Sequence, residues 1–282
     1  MTTAAIDARG VTVRRRPSRR VTNLTPGSAL GLGVALTWFS LLVLIPLSAI
    51  VFTTVQGGWD SFVRTLTNPQ TQAAIVLTVG EAGLVTAVNI VMGTVIAWVL
   101  VRDRFFGIRF LDVVIDIPFA LPTIVAGLVL LSLYGTQSPI GIDVANTRTA
   151  VYLALAFVTL PFVVRTVQPV LEELEPDVEE AAASLGAGRL TIFRRVILPS
   201  LVPAITAGAA LSFARALSEY GSLVLLSGNL PMNTEVASVR VLSYIENGSL
   251  ASASAVATVL LVIALAVIVG LDLLQRRVAR RD

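Results

Sequence analysis

EELEPDVEEAAASLGAGRLTIFRRVILP, residues Glu172–Pro199, is the longest polar connection between apolar runs in this chain, and it reads as two short helices around a glycine turn. Pro176 suits the first turn of a helix, where its missing N–H has no partner to lose. Asp177, Glu179 and Glu180 place negative charge at the positive end of that helix. Val178, Ala181, Ala182 and Leu185 recur at i, i+3, i+4 and i+7 and form one apolar stripe. Gly186 stands where a C-cap glycine belongs. Beyond it, Leu190, Phe193 and Ile197 share one side of a second short helix, with Arg189, Arg194 and Arg195 elsewhere, and Pro199 opens the next apolar run. So small a unit cannot bury a core of its own. It must dock on something, and its alanine pair permits close backbone approach.

The flanking sequence is dominated by apolar residues. In 282 residues, 55% are hydrophobic and 14% charged, whereas about a quarter of a soluble domain is charged. Mean hydropathy is +0.83. A spanning helix needs roughly 20 apolar residues, and six runs qualify: 29–55, 73–101, 113–134, 150–171, 201–226 and 251–274. The expected fold is therefore an all-α membrane protein. It would comprise a basic, disordered arm (1–27), a transmembrane domain (28–275) with the 172–200 loop on its cytoplasmic side, and a basic tail (276–282). Arginine counts in alternate connections orient it. One side carries 17 Arg (in the arm, the 102–112 loop, the 165–200 segment and the tail) and the other carries 3, namely Arg64, Arg148 and Arg240. Both termini are expected in the cytoplasm of a multi-pass protein of the cytoplasmic membrane.

Absences exclude whole classes of chemistry. With no Cys and no His, zinc sites, thiol nucleophiles and Ser-His-Asp triads are unavailable. With no Lys there is no Walker A loop. Any ATP used must be bound by another chain, and this chain is expected to carry no cofactor, no metal and no catalytic residue. The pI near 9.9 does not indicate nucleic acid, because the arginines sit at the ends of apolar runs.

Two features inside the runs are candidates for a translocation path. Pro118 and Pro122, followed by Thr123, either kink the third run for packing or break a helix that lines a solute route. Arg215 and Glu219, four residues apart in the fifth run, share a helix face, either as a neutralising structural pair or with Arg215 turned toward an anion. Ala204, Gly208 and Ser212 give the small-xxx-small spacing of close helix contacts. In the 227–250 connection, Glu235, Arg240 and Glu246 form either a solvated cap or a docking face, with a short helix over 235–246.

Glu180-Ala181-Ala182, Gly186, Val196 and Leu198-Pro199, at that spacing between the fourth and fifth runs, resemble the EAA loop of ABC importer permease subunits. The family prefers Ile where Val196 stands. DIPFALPTIVAG (116–127), SEYGS (218–222), SGNLP (227–231) and Thr234-Glu235-Val236 are similar to the T-type permease of sulfate/thiosulfate importers. Molybdate permeases share only the Gly-Asn-x-Pro portion, and the W-type sulfate permease departs at Ala120–Thr123. The resemblance covers about residues 30–275. It implies a type I importer in which this chain pairs with a homologous W-type permease, two ATPase subunits and an extracytoplasmic sulfate-binding protein. The EAA loop would then transmit ATPase closure to the membrane helices. A molybdate or other oxyanion importer is the alternative; a channel or an intramembrane enzyme would have no use for such a loop.

Overall fold

The computed structural model describes residues 26–279. The reading of the arm as disordered therefore falls outside the described residues, except that Pro26 and Gly27 already open a helix; Arg280 and Arg281 of the tail are outside as well. Among the described residues all regular structure is helical, and the chain divides into two compact units, up to Ala49 and from Ile50.

The first unit holds α1 (Pro26–Phe39), a π turn (Ser40–Leu44) and the start of α2 (Ile45–Gln56). The π turn is where Pro46 is accommodated: the Ile45 N–H reaches back five residues to Ser40 O, so the ladder widens just before the residue that cannot donate. Large apolar side chains here stay exposed, Trp38 and Phe39 among them.

The second unit contains α3 (Trp59–Thr67), α4 (Pro69–Arg102), α5 (Ile108–Ile115), α6 (Ile117–Ala120), α7 (Thr123–Tyr134), α8 (Arg148–Glu173), α9 (Pro176–Ser184) and α10 (Arg189–Ile192). A second π turn (Phe193–Ile197) leads into α11 (Leu198–Leu217), followed by α12 (Gly221–Leu226), α13 (Ala237–Glu246) and α14 (Leu250–Ala279). Local chemistry sets the long helices. Asn68 Oδ1 accepts from the Gln70 and Thr71 amides ahead of Pro69 in the first turn of α4. Thr147 caps α8 through the Ala150 amide.

Helices α4, α8 and α11 pack on one another because glycine and alanine line their contact faces. A methyl group added at Gly93 would lie 2.8 Å from Val163 Cβ, and one at Gly208 would lie 2.9 Å from Val163 Cα. The expected small-residue stripe of Ala204, Gly208 and Ser212 thus meets α8. Two apolar clusters fill the bundle, one around Val85, Leu155 and Phe213, the other around Val164, Val167 and Leu201. Buried Asn89 ties all three helices by donating to Thr159 Oγ1 (2.8 Å) and Ser212 Oγ (3.4 Å).

Five helical segments are long and apolar enough to cross a membrane: Gly27–Gln56, Pro69–Arg102, Arg148–Glu173, Arg189–Leu217 and Leu250–Arg277. The sequence reading needs correction at the third run, at the fifth run and at the C-terminal end. The third run, expected as one span over 113–134 that the prolines either kink or break, is two segments, Ile108–Ala120 and Thr123–Tyr134, bent by 116°. Pro122 cannot donate and biases Leu121 away from the helical region, and Leu121 is extended (φ −86°, ψ 135°). The fifth run, expected over 201–226, ends at Leu217, and α12 is a separate helix. Its start also differs: the second helix of the loop runs through the π turn into α11, so Pro199 lies within one continuous rod. At the far end, α14 continues through Arg276 and Arg277, which the sequence assigns to the tail.

Candidate functional site

Helix α9 buries none of its residues. Glu180 and Ala181 are exposed, Ala182 is half-buried, and Val178, Leu185 and Leu190 present apolar side chains to the outside, Leu185 at 89% exposure. The turn that ends α9 is closed by its own backbone. The Ala187 amide reaches Ala182 O (3.1 Å) and the Gly186 amide reaches Ala183 O (2.9 Å), with Gly186 at φ +84°. This is the paired bonding of a Schellman cap, which requires a left-handed residue at Gly186. Nothing lies within 4 Å of where a Gly186 Cβ would stand, so glycine is there for backbone reasons alone.

The loop is moored at two points. Glu179 pairs with Arg102 at the end of α4, and Arg102 lies over the Trp98 ring (5.5 Å), which meets Phe193 edge-on. Behind the presented helix, Val196, Leu198 and Pro199 belong to the rod Arg189–Leu217 and are half-buried. The motif residues thus split into an exposed set, Glu180 to Gly186, and a set built into the rod. At 1.5 Å per residue, that 29-residue rod is about 40 Å long.

Its far end is the second part of the site. Glu219 lies beyond the helix, not on it, yet it still meets Arg215: Arg215 Nη2 is 2.8 Å from Glu219 Oε2. The other carboxylate oxygen accepts from the Ser222 amide (2.8 Å) and the Ser222 hydroxyl (2.9 Å). Glu219 O accepts from Ser238 Oγ (2.7 Å). Glu219 is therefore a 1% exposed carboxylate that joins the end of α11 to the start of α12, while Arg215 keeps 29% of its side chain exposed. The third-run break abuts this one. A Cβ on Gly221 would collide with Thr123 Oγ1 and stand 2.9 Å from the Ile124 amide; one on Gly127 would be 2.7 Å from Ser222 O. The structure thus sets Thr123, next to Pro122, against Gly221, two residues beyond the Glu219 that pairs with Arg215. Pro118 sits apart, in α6, beside the Phe119–Phe162 edge-on contact.

Sequence reasoning missed a charged cluster between these regions. Arg165 on α8 grips Asp116 with two bonds (Nε to Oδ1 and Nη2 to Oδ2, both 2.7 Å) and Asp112 Oδ1 with a third (2.7 Å). It also donates to Asp112 O and to Gln168. Such bidentate geometry fixes orientation as well as charge. The only local signal was the i, i+4 spacing of Asp112 and Asp116; nothing near them in sequence points to Arg165. On the opposite side, Glu235 and Arg240 are not a free docking face. Glu235 is 4% exposed and accepts from Gln70 Nε2 (2.7 Å), while Arg240 donates to Thr71 Oγ1 (3.3 Å) and stacks on Tyr244. Only Glu246 of the three is exposed.

A profile of the "binding-protein-dependent transport system inner membrane component" family matches residues 89–281. The chain is 44% identical over 271 residues to sulfate transport system permease protein CysT of Salmonella typhimurium, spanning 94% of this chain and 97% of that one. The Escherichia coli K12 protein of the same name gives the same identity and coverage. The corresponding protein of Synechocystis is 42% identical over 253 residues (86% and 87%). Among solved structures, a bacterial alginate ABC transporter in complex with its pentasaccharide-bound periplasmic protein superposes with a TM-score of 0.72 at 20% identity. It covers 89% of this chain and 94% of that one, a likeness of fold.

Proposed function

This chain belongs to the family of binding-protein-dependent transport system inner membrane components, and we propose that it is the permease subunit of an ATP-driven importer for sulfate and thiosulfate. The observation that carries the substrate class is end-to-end similarity to CysT permeases, at 44% identity over 94% of the chain. It acts with a second, homologous W-type permease, two ATPase subunits that bind the ATP, and an extracytoplasmic sulfate-binding protein. It sits in the cytoplasmic membrane with both termini inside, a reading that the 17-to-3 arginine asymmetry supports.

The geometry supports a lever. The exposed face of α9 enters a groove of the ATPase, and closure of the ATPase pair moves α9 with the rod behind it. The rod runs without interruption from Arg189 to Leu217, so displacement at the cytoplasmic end is delivered to the Glu219 break. There α11 and α12 are joined by side-chain bonds and not by a helix. The Thr123 break leans on the same place, so the two interruptions shift together between inward and outward states. The chain performs no covalent chemistry; it converts closure into access.

Uptake of radiolabelled sulfate in a host stripped of its own sulfate permeases, with the complete importer supplied, tests the reading. Saturable, ATP-dependent uptake that excess thiosulfate suppresses and equimolar molybdate does not is the expected result. Molybdate uptake in place of sulfate would reassign the substrate and leave the permease role intact.

A further inference from the structure

The most exposed large side chains of the α5 segment are apolar. A surface helix buries its apolar face and exposes its charges. Here Asp112 and Asp116 turn to Arg165 while their side chains stay 43% and 49% exposed, and Ile115 between them is 8% exposed. The outer face is apolar: Phe106, Phe110 and Val113 are 105%, 74% and 66% exposed, and Ile117 continues the same stripe. Arg104 and Arg109 flank it, exposed and without an ion pair among the described residues; Asp103 is the one acid of the segment without an ion pair among them.

The direction of the segment matters as much as its polarity. Ile108–Ala120 meets Thr123–Tyr134 at 116°, nearer a right angle than a straight line. It therefore lies across α7 instead of continuing it. It follows directly on α4, which ends at Arg102 beside the moored α9 loop. An apolar, aromatic face with arginines at its edge, on a helix lying across the bundle, is the pattern of a helix resting in a membrane interface. Guanidinium groups at that depth favour anionic headgroups.

We infer that residues 103–117 form an in-plane segment, the turn at Phe106 and Gly107 followed by α5, whose Phe106, Phe110 and Val113 side chains lie in the headgroup–acyl boundary of an anionic phospholipid leaflet, with Arg104 and Arg109 on the phosphates. Arg165 is what enforces this. By holding both aspartates it fixes which face meets lipid, so the same cluster that anchors the broken third span also seats it on the membrane. The inference stands on the helix's polarity and direction and is independent of which anion is carried.

The chain contains no cysteine, so single cysteines at 106, 110 and 113 can carry a fluorophore in the complete importer reconstituted into nanodiscs. Lipids brominated high in the acyl chain are expected to quench all three labels at least threefold more than a label at position 185. In discs containing phosphatidylglycerol, R104Q together with R109Q should reduce quenching at 110 to the level seen in phosphatidylcholine discs. Labels at 106 and 110 that escape lipid quenching but are shielded from aqueous iodide would show the face to be covered by protein and would overturn the inference. Equal quenching in charged and neutral discs, insensitive to both arginine changes, would overturn the anionic-headgroup assignment. Size exclusion of each labelled complex verifies assembly, and three independent positions keep the result readable should one variant fail.

Discussion

The α9 loop and the Glu219 break, joined by one rod, are built on opposite plans. In α9 nothing is buried, and the helix is held by one ion pair and its own backbone cap. At the break Glu219, Gly221 and Ser222 are buried, Ser218 and Tyr220 are exposed, and Glu219 is held by an ion pair and hydrogen bonds within the chain. A surface left unsatisfied in this way is built to be completed by another protein. A buried carboxylate held by its own chain in this way is built to hold one arrangement until force reaches it. The two glycines show the contrast. Gly186 is required by φ +84° in open space, whereas Gly221 is required by a backbone neighbour at 2.9 Å with no unusual φ.

The largest expected effect therefore lies at the break. Glu219→Ala removes the partner of Arg215 and the acceptor of the Ser222 amide together. Breaking a buried pair costs about 3–5 kcal/mol, so assembled importer in membranes should fall more than tenfold. Gly221→Ala should do the same by collision with Thr123 and Ile124. The charge-swapped pair, Arg215→Glu with Glu219→Arg, should stay inactive, because an arginine at 219 cannot accept from Ser222. Quantitative immunoblotting of purified membranes measures all three. Wild-type abundance of Glu219→Ala would mean that the junction is less rigid than its bonding implies.

Gly186→Val should show the complementary phenotype. A residue other than glycine at this φ costs roughly 1–2 kcal/mol, and a β-branched one more, but the site is open and outside the core. Abundance should stay near wild type while uptake drops about tenfold and ATPase co-purification weakens. Glu180→Lys should act the same way, since Glu180 is exposed and pairs with nothing among the described residues. Loss of the protein itself would erase the distinction between the two regions.

This contrast also explains what could be read from sequence. The loop was legible because every signal in it is local: Pro176 at the first turn, a stripe at helical spacing, Gly186 at the cap. The Pro122 break was visible as an alternative for the same reason. The Ser218–Tyr220 break was not. Leu217, Ser218, Glu219 and Tyr220 contain no breaker, and the interruption depends on Ser238 and on α7 approaching Gly221, contacts made by residues distant in sequence. Arg165 was hidden likewise. It counted as one more cytoplasmic charge until folding brought it to Asp112 and Asp116. Even the Arg215–Glu219 pair was anticipated for the wrong reason: i, i+4 spacing brings them together on a helix, but here Glu219 reaches back from beyond its end.

Arg165 sits between the two plans, half-exposed but densely bonded. Arg165→Lys keeps the charge and loses the fork that holds Asp112 and Asp116 at once. Uptake should fall three- to tenfold with assembly preserved, and Arg165→Gln should fall further. A lysine variant that transports like wild type would show that charge alone is needed and that the fixed angle of the third span is not.

The smallest effect is expected at the mooring of the loop. Arg102 and Glu179 are each about a quarter exposed, and ion pairs in such settings contribute about 0–1 kcal/mol. Arg102 also packs on Trp98, so its removal costs contact area as well as charge. Glu179→Gln should therefore lower uptake less than twofold, and Arg102→Gln somewhat more. The double variant should be no worse than Arg102→Gln alone, since the second change removes a partner already gone. Because the pair is only partly screened from solvent, raising ionic strength should shrink the difference between Glu179→Gln and wild type. The comparison turns on the adjacent acid. Glu179 faces its own chain and Glu180 faces outward, so neutralising the first should leave ATPase co-purification unchanged, and reversing the second should abolish most of it. Equal effects from the two neighbours would mean that α9 rotates on docking, and that its mooring to α4 is released when the ATPase binds.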